Sequence, residues 1–407
     1  MIERKPYIDL WKSLSADKSM IFLSGPRQTG KTTLAKEIAS HFTNSVYYNW
    51  DIMGSKKLLI TNPAFFQELT RKDASKPIVI FDEIHKYKQW KNYVKGIYDE
   101  FKDDYIFLIL GSGRLDVYQK GGDSLAGRYF HFHLFPFTLA ELCGNQRKFN
   151  SFIQNPLKGF DLNNTHKTKK IWDTLFITSG FPEPFVKKSP VFYRRWSSIY
   201  LKQIIKEDIR NFADTKRIDM LELLLSLLPD KIGSPLSLNA IAQDIQTTFD
   251  SVKKWLQLLE MVYVLFRISP WTRKITRSIL KEKKAYIYSY PEIVNAAARF
   301  ENIVAIELRR AVYAWNESGL GKFELHYLRD KQKNEVDFLI ANNHKPFLLL
   351  EVKLSDDTIS KSLIYFQNIL QIPAVQLVNK ENIYRYIKNG SNNILVITAH
   401  RWLSSLP

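Results

Sequence analysis

Residues Met20–Phe42 read MIFLSGPRQTGKTTLAKEIASHF. Within this stretch Gly25, Gly30, Lys31 and Thr32 form G-x-x-x-x-G-K-T. The apolar run Met20–Leu23 before it has the composition of a buried strand, and Leu34, Ile38 and Phe42 after it recur at helical spacing. A glycine-rich turn between a strand and a helix is the setting in which this motif cradles phosphate. The two glycines free the backbone to turn its N–H groups inward, and the helix N-terminus adds its dipole. The spacing predicts a nucleotide-phosphate site built from Gly25, Pro26, Arg27, Gln28, Thr29, Gly30, Lys31, Thr32 and Thr33. Lys31 would reach the β- and γ-phosphates of ATP, and the Thr32 hydroxyl would hold Mg²⁺.

Working outward, Val46–Trp50 reads as a second strand and Pro77–Phe81 as a third, the latter closed by Asp82-Glu83. An apolar strand ending in two carboxylates some 50 residues after a P-loop predicts that Asp82 binds Mg²⁺ and that Glu83 polarises the attacking water. Tyr105–Leu110 is a fourth strand, followed by Ser112, where a polar sensor of the γ-phosphate is expected. Phe130–Phe135 is a fifth. Arg128, just before it, is a candidate finger for the γ-phosphate of a neighbouring subunit, with Arg114 as the competitor and a local salt bridge as the alternative for either. A finger acting between subunits implies a homo-oligomer, with a hexameric ring as one arrangement.

The blocks GPRQTGKTTLA, IVIFDEIHK, ILGSGRLDVYQKGGDSLAGRYFHFHLFPFTLAEL and the later EVDF and EVK together resemble the prokaryotic AAA-type ATPase family whose C-terminal half is the domain of unknown function DUF4143. The resemblance spans most of the chain. It implies an α/β fold with a P-loop ATPase core of strand order 5-1-4-3-2, and a restriction-endonuclease-like C-terminal domain. Four segments are expected: the ATPase core at 1–145, a helical lid or linker at 146–230, a winged helix-turn-helix at 231–290 and a nuclease-like domain at 291–407.

The third segment rests on its own residues. Asn239–Ile245 and Phe249–Glu260 read as two helices separated by a short turn, and Val262–Ile268 as a strand. Val252, Leu256 and Leu259 would face a core, leaving Lys253 and Lys254 outward on a recognition helix, with Arg273, Lys274 and Arg277 on a wing. Residues 231–290 hold ten Lys or Arg against four Asp or Glu, a local balance that favours contact with DNA phosphates. The same motif also serves to pack subunits together.

In the last segment, strand alternation puts Glu351 and Lys353 on one face, and a hairpin would bring Asp337 alongside. An acid followed by Glu-x-Lys on the next strand resembles the PD-(D/E)xK nuclease core, and the reading adds Glu307 from the preceding helix as a further acid for a second Mg²⁺. An inactive version that only holds DNA fits the same residues, as does a charged sheet face in which Lys353 is simply paired to a carboxylate.

The formal net charge is +18, which suits a polyanionic partner. A single cysteine, Cys143, excludes a disulfide framework within the chain, and no secretory h-region or transmembrane run is visible, so a cytoplasmic, membrane-free setting is expected. Three functions remain in contention: an ATP-driven motor or switch on DNA, an ATP-gated Mg²⁺-dependent endonuclease, and a scaffold whose assembly ATP controls.

Overall fold

The computed structural model describes residues 2–111, 125–144, 147–160, 165–209, 218–272, 281–389 and 392–407. The chain divides into two compact units, Met1–Phe135 with Met261–Tyr263, and Pro136–Glu260 with Val264–Pro407.

The first unit is built on strands β1 (Met20–Ser24), β2 (Ser45–Asn49), β3 (Ile78–Asp82), β4 (Ile106–Leu110) and β5 (Phe130–His133). They pair in the order β2-β3-β4-β1-β5, all parallel, which is the order 5-1-4-3-2 expected from the resemblance. The central strands are apolar throughout because helices cover both faces of the sheet. On one face Phe22, Phe81 and Phe107 pack with Trp90, Val94 and Ile97 of the helix Trp90–Phe101. On the other, Leu23, Ile80 and Leu108 pack with Tyr7, Ile8 and Trp11 of the helix Lys5–Asp17 and with Leu34 and Ile38 of Lys31–Ala39. Burial of alternate residues on opposite faces thus fixes which helix each strand carries. Ligands of such a sheet gather at the carboxyl ends of the strands, where Ser24 and Asp82 lie.

The second unit begins with helices, among them Thr165–Thr178 and Pro190–Gln203. Gly180 sits here without room for a side chain: a Cβ would lie 2.1 Å from the Phe137 carbonyl oxygen. Helices Leu238–Asp244 and Phe249–Met261 follow, with Val252, Leu256 and Leu259 buried and Lys253 and Lys254 exposed, in the phase expected from their spacing. Next come β6 (Leu265–Pro270) and β7 (Lys284–Ile287), an antiparallel pair. The pair is not a free-standing wing. β6 continues into a larger mixed sheet by pairing Ser269 and Pro270 with His326 and Tyr327. That sheet also contains β8 (Phe323–Arg329), β9 (Glu335–Asn342), β10 (Lys345–Lys353), β11 (Ala374–Val378), β12 (Tyr384–Asn389) and β13 (Asn392–Thr398), in the order β12-β13-β11-β10-β9-β8-β6-β7. The long helix Ala296–Glu317 packs on it, and its Asn302 uses both ends of the amide to bond the Ile287 backbone, each at 2.8 Å.

Candidate functional site

The loop between β1 and the helix Lys31–Ala39 is shaped by Gly25 (φ +149°) and Gly30 (φ +92°). Gly25 is also a steric requirement. A Cβ there would come within 2.1 Å of the Leu134 carbonyl oxygen, beside the hydrogen bond that Leu134 N donates to Ser24 O. Lys31 is buried and folds back over the loop, donating to Gly25 O at 2.9 Å and to Pro26 O at 2.7 Å. Thr29 Oγ1 donates to Pro26 O at 2.9 Å, closing the turn.

Across from the loop, Thr32 Oγ1 donates to Asp82 Oδ2 at 2.7 Å. Asp82 lies at the end of β3 and is almost fully buried. Burial pushes its carboxyl above the usual carboxylate range, while the Thr32 and Tyr47 hydroxyls and Lys31 act in the opposite direction. The Tyr47 phenol, on neighbouring β2, donates to the same Oδ2 at 2.7 Å, and its own pKa is pushed up to about 12 by burial and by that carboxylate. Glu83 follows in a left-handed conformation (φ +56°), its Oε2 3.3 Å from Lys86 Nζ and 3.5 Å from His85 Nε2. Lys86 also pairs with Asp51 at 2.5 Å, so Glu83 is tied to a short ion-pair chain.

Two parts of this site have no local sequence signature. Arg4 is buried and donates to Thr29 O of the loop at 3.0 Å and to Phe135 O at 2.9 Å, bracing the phosphate loop from the segment before β1. Tyr47 is the other: nothing near β2 signals that its hydroxyl meets Asp82. Arg128, expected as a finger, makes a two-point pair with Asp99, Nε to Oδ1 at 2.7 Å and Nη2 to Oδ2 at 3.1 Å, which is its local salt-bridge alternative. Ser112 and Arg114 lie outside the described residues, as do Arg273, Lys274 and Arg277.

With the loop, the hydroxyl and the two carboxylates at one end of a parallel sheet, the family can be placed. An AAA domain model matches residues 17–143, and models of two domains of unknown function, DUF8612 and DUF4143, match 169–300 and 297–400. The chain carries an AAA-type P-loop ATPase domain followed by DUF8612 and DUF4143 domains. The AAA domain implies ATP binding and hydrolysis. An uncharacterized protein of Haemophilus influenzae is 23% identical over 393 residues, which cover 89% of this chain and 93% of that protein. An uncharacterized protein of Mycobacterium tuberculosis is 20% identical over 352 residues, covering 84% and 72%. Among solved structures, a Walker-type ATPase of Pyrococcus abyssi is 14% identical over a match that covers 74% of this chain and 96% of that one, with a TM-score of 0.39.

In the DUF4143 region, β9 and β10 pair antiparallel with Phe338 opposite Leu350, which brings Asp337 beside Glu351. Asp337 Oδ2 accepts from Val352 N at 2.9 Å, and Lys353 Nζ lies 2.8 Å from Glu351 Oε1. Glu307 does not join them. It points to the start of the helix Leu139–Cys143, where its Oε1 accepts the Leu139 N–H at 2.7 Å. The acid that the helix Ala296–Glu317 does contribute to the sheet cluster is Glu301. Among the described residues no group of three or more His, Cys, Asp or Glu is arranged to hold a metal ion.

A cavity of about 530 Å³ opens beside the helix Phe249–Met261, and its polar lining is Ser237, Asn239, Lys253, Gln257, Arg267, Lys281, Glu282 and Lys283, four cations against one acid. Arg267 is paired with Glu260 at 2.6 Å, while Lys253 and Lys281 are exposed. Among the described residues no helix is long and apolar enough to cross a membrane.

Proposed function

We propose that this chain is an ATP-hydrolysing switch or motor that acts on DNA as a homo-oligomer. The convergence of Thr32 Oγ1 and Asp82 Oδ2, 2.7 Å apart at the mouth of a glycine-shaped loop, carries the ATPase half of this reading. Two hard oxygen donors beside a phosphate cradle fit Mg²⁺, which when bound neutralises charge on the phosphoryl oxygens in transfer. Lys31 exchanges its two loop carbonyls for the β- and γ-phosphates, where its ammonium meets charged rather than neutral acceptor oxygens. Tyr47 holds Asp82 in place and, as a neutral phenol near neutral pH, supports its charge. Glu83 orients the attacking water once it is released from Lys86 and His85.

The DNA half is supported by the basic cavity beside the helix Phe249–Met261. Lys253 projects from the exposed side of that helix, and Lys281 and Lys283 lie across from it. Convergent lysines around an open groove suit a phosphate backbone, and the overall charge of +18 favours its approach. Steady-state ATP hydrolysis on the full chain tests both halves, without DNA, with linear duplex and with a four-way junction, using Lys31→Ala as the blank. Stimulation several-fold above the DNA-free rate is expected. Equal rates in all three conditions would remove DNA as the ligand and leave the ATPase to a protein partner.

A further inference from the structure

The carboxylate cluster of the C-terminal sheet already has a cation. Lys284, the first residue of β7, has a side chain with no exposure to solvent. Its Nζ lies 2.8 Å from Glu335 Oε1, 3.0 Å from Glu301 Oε1 and 3.4 Å from Asp337 Oδ1. An ammonium has three N–H donors, and here three carboxylates meet them, two from β9 and one from the helix Ala296–Glu317. Two of the remaining oxygens are also engaged. Glu335 Oε2 pairs with Arg329 at 3.0 Å and Asp337 Oδ2 takes the Val352 N–H, while Glu301 Oε1, already at Lys284, also accepts the Tyr286 hydroxyl at 2.8 Å. Burial works against the Lys284 charge, but Glu301, Asp337 and Glu335 overcome it and hold the ammonium above the usual lysine value.

The acid pair picked out by its strand spacing is therefore divided. Asp337 faces Lys284, and Glu351 faces Lys353. Glu351 Oε1 is held 2.8 Å from Lys353 Nζ on its own strand, and its Oε2 is buried without a hydrogen-bond partner. A Mg²⁺ ion needs oxygens at roughly 2.0–2.1 Å in near-octahedral array. At Asp337 that position is taken by an ammonium that cannot leave without stranding a buried charge.

We propose that Lys284 is the resident cation of this cluster, standing where a divalent metal would have to sit, so that the DUF4143 part of this chain performs no metal-dependent phosphodiester cleavage. The proposal is independent of the ATPase reading, since it concerns only the second unit. The test is Mn²⁺ binding to the full chain, followed by electron paramagnetic resonance, in wild type and Asp337→Asn. The phosphate-loop site is common to both proteins and cancels in the comparison. Equal Mn²⁺ occupancy is expected, together with no plasmid nicking in Mg²⁺ or Mn²⁺ that depends on Asp337. A stoichiometric Mn²⁺ site, or nicking, that is present in wild type and lost in Asp337→Asn would overturn the proposal. A second variant, Lys284→Met, is expected to bind Mn²⁺ at least about tenfold more tightly than wild type, and adding Asp337→Asn to it should abolish the gain. A folded Lys284→Met with no new site would show that the lysine does not stand in the metal's place. Should that variant fail to fold, the wild-type comparison decides alone.

Discussion

Replacing Glu307 by glutamine should change how stability depends on pH. Glu307 is almost fully buried on the helix Ala296–Glu317 and accepts the Leu139 N–H, while its second oxygen has no hydrogen-bond partner. Burial is the largest influence on its carboxyl and raises it from 4.5 to about 7, against the opposing pull of the Leu139 N–H and Arg310. Between these values the folded protein binds a proton that the unfolded chain has released. Stability from this group is therefore fully present below about pH 4.5 and is lost as pH rises through about 7. At 1.36 kcal/mol per pKa unit the loss is roughly 3 kcal/mol. Glu307→Gln keeps an oxygen for Leu139 N but carries no charge. The variant should match wild type near pH 4.5 and exceed it by up to about 3 kcal/mol near pH 8. Urea unfolding of both proteins at half-unit steps from pH 4.5 to 8 measures the difference, in which the other titrating groups cancel. Two curves that run parallel across this range would refute the buried, proton-binding role assigned to Glu307.

Gly25→Ala places a Cβ 2.1 Å from the Leu134 carbonyl oxygen at a φ of +149°, and the strain should cost roughly 2–5 kcal/mol. Fluorescent-nucleotide titration and thermal melting should both show a loss, and unchanged values would discredit the loop geometry. Asn302→Ala strands the Ile287 N–H and C=O that the amide now bonds at 2.8 Å each, for a loss of about 2–4 kcal/mol in urea unfolding. Indifference to the change would mean that the bridge contributes nothing. Lys253→Glu and Lys283→Glu should each weaken duplex DNA binding and lower the slope of log affinity against log salt by about 1. An unaltered slope would place the DNA elsewhere on the chain.

How far the sequence could be read depended on whether a feature is local. Strands β1, β3 and β4 are buried on both faces, so each appears as an unbroken apolar run that needs no knowledge of its neighbours. The phosphate loop is contiguous, and Asp82-Glu83 closes such a run. Arg4 and Tyr47 were not legible, because the contacts that make them matter are tertiary: Arg4 reaches a carbonyl 25 residues along the chain, and Tyr47 an acid 35 residues away. The order of the parallel strands came from the family resemblance rather than from any pattern within them.

The C-terminal cluster shows where periodicity alone falls short. Glu301 and Glu307 are both acids on one long helix, six residues apart. At 3.6 residues per turn their side chains leave the helix about 120° apart, so only one can face the sheet. The sequence does not fix the rotation of that helix, which is set by Asn302 bonding the β7 backbone; with Asn302 turned to β7, Glu301 meets Lys284 and Glu307 meets Leu139. The same logic separates two adjacent lysines that composition counts alike. Lys283 lines the open basic cavity, while Lys284 has no solvent-exposed side-chain surface and sits among three carboxylates. Successive residues of an extended chain point to opposite sides. One step along the backbone therefore converts a charge offered to a polyanion into a charge consumed inside the protein. Lys284 adds nothing to the surface, and the carboxylates that meet it leave the charge count with it, so the charges a polyanion would meet are those of Lys253, Lys281 and Lys283.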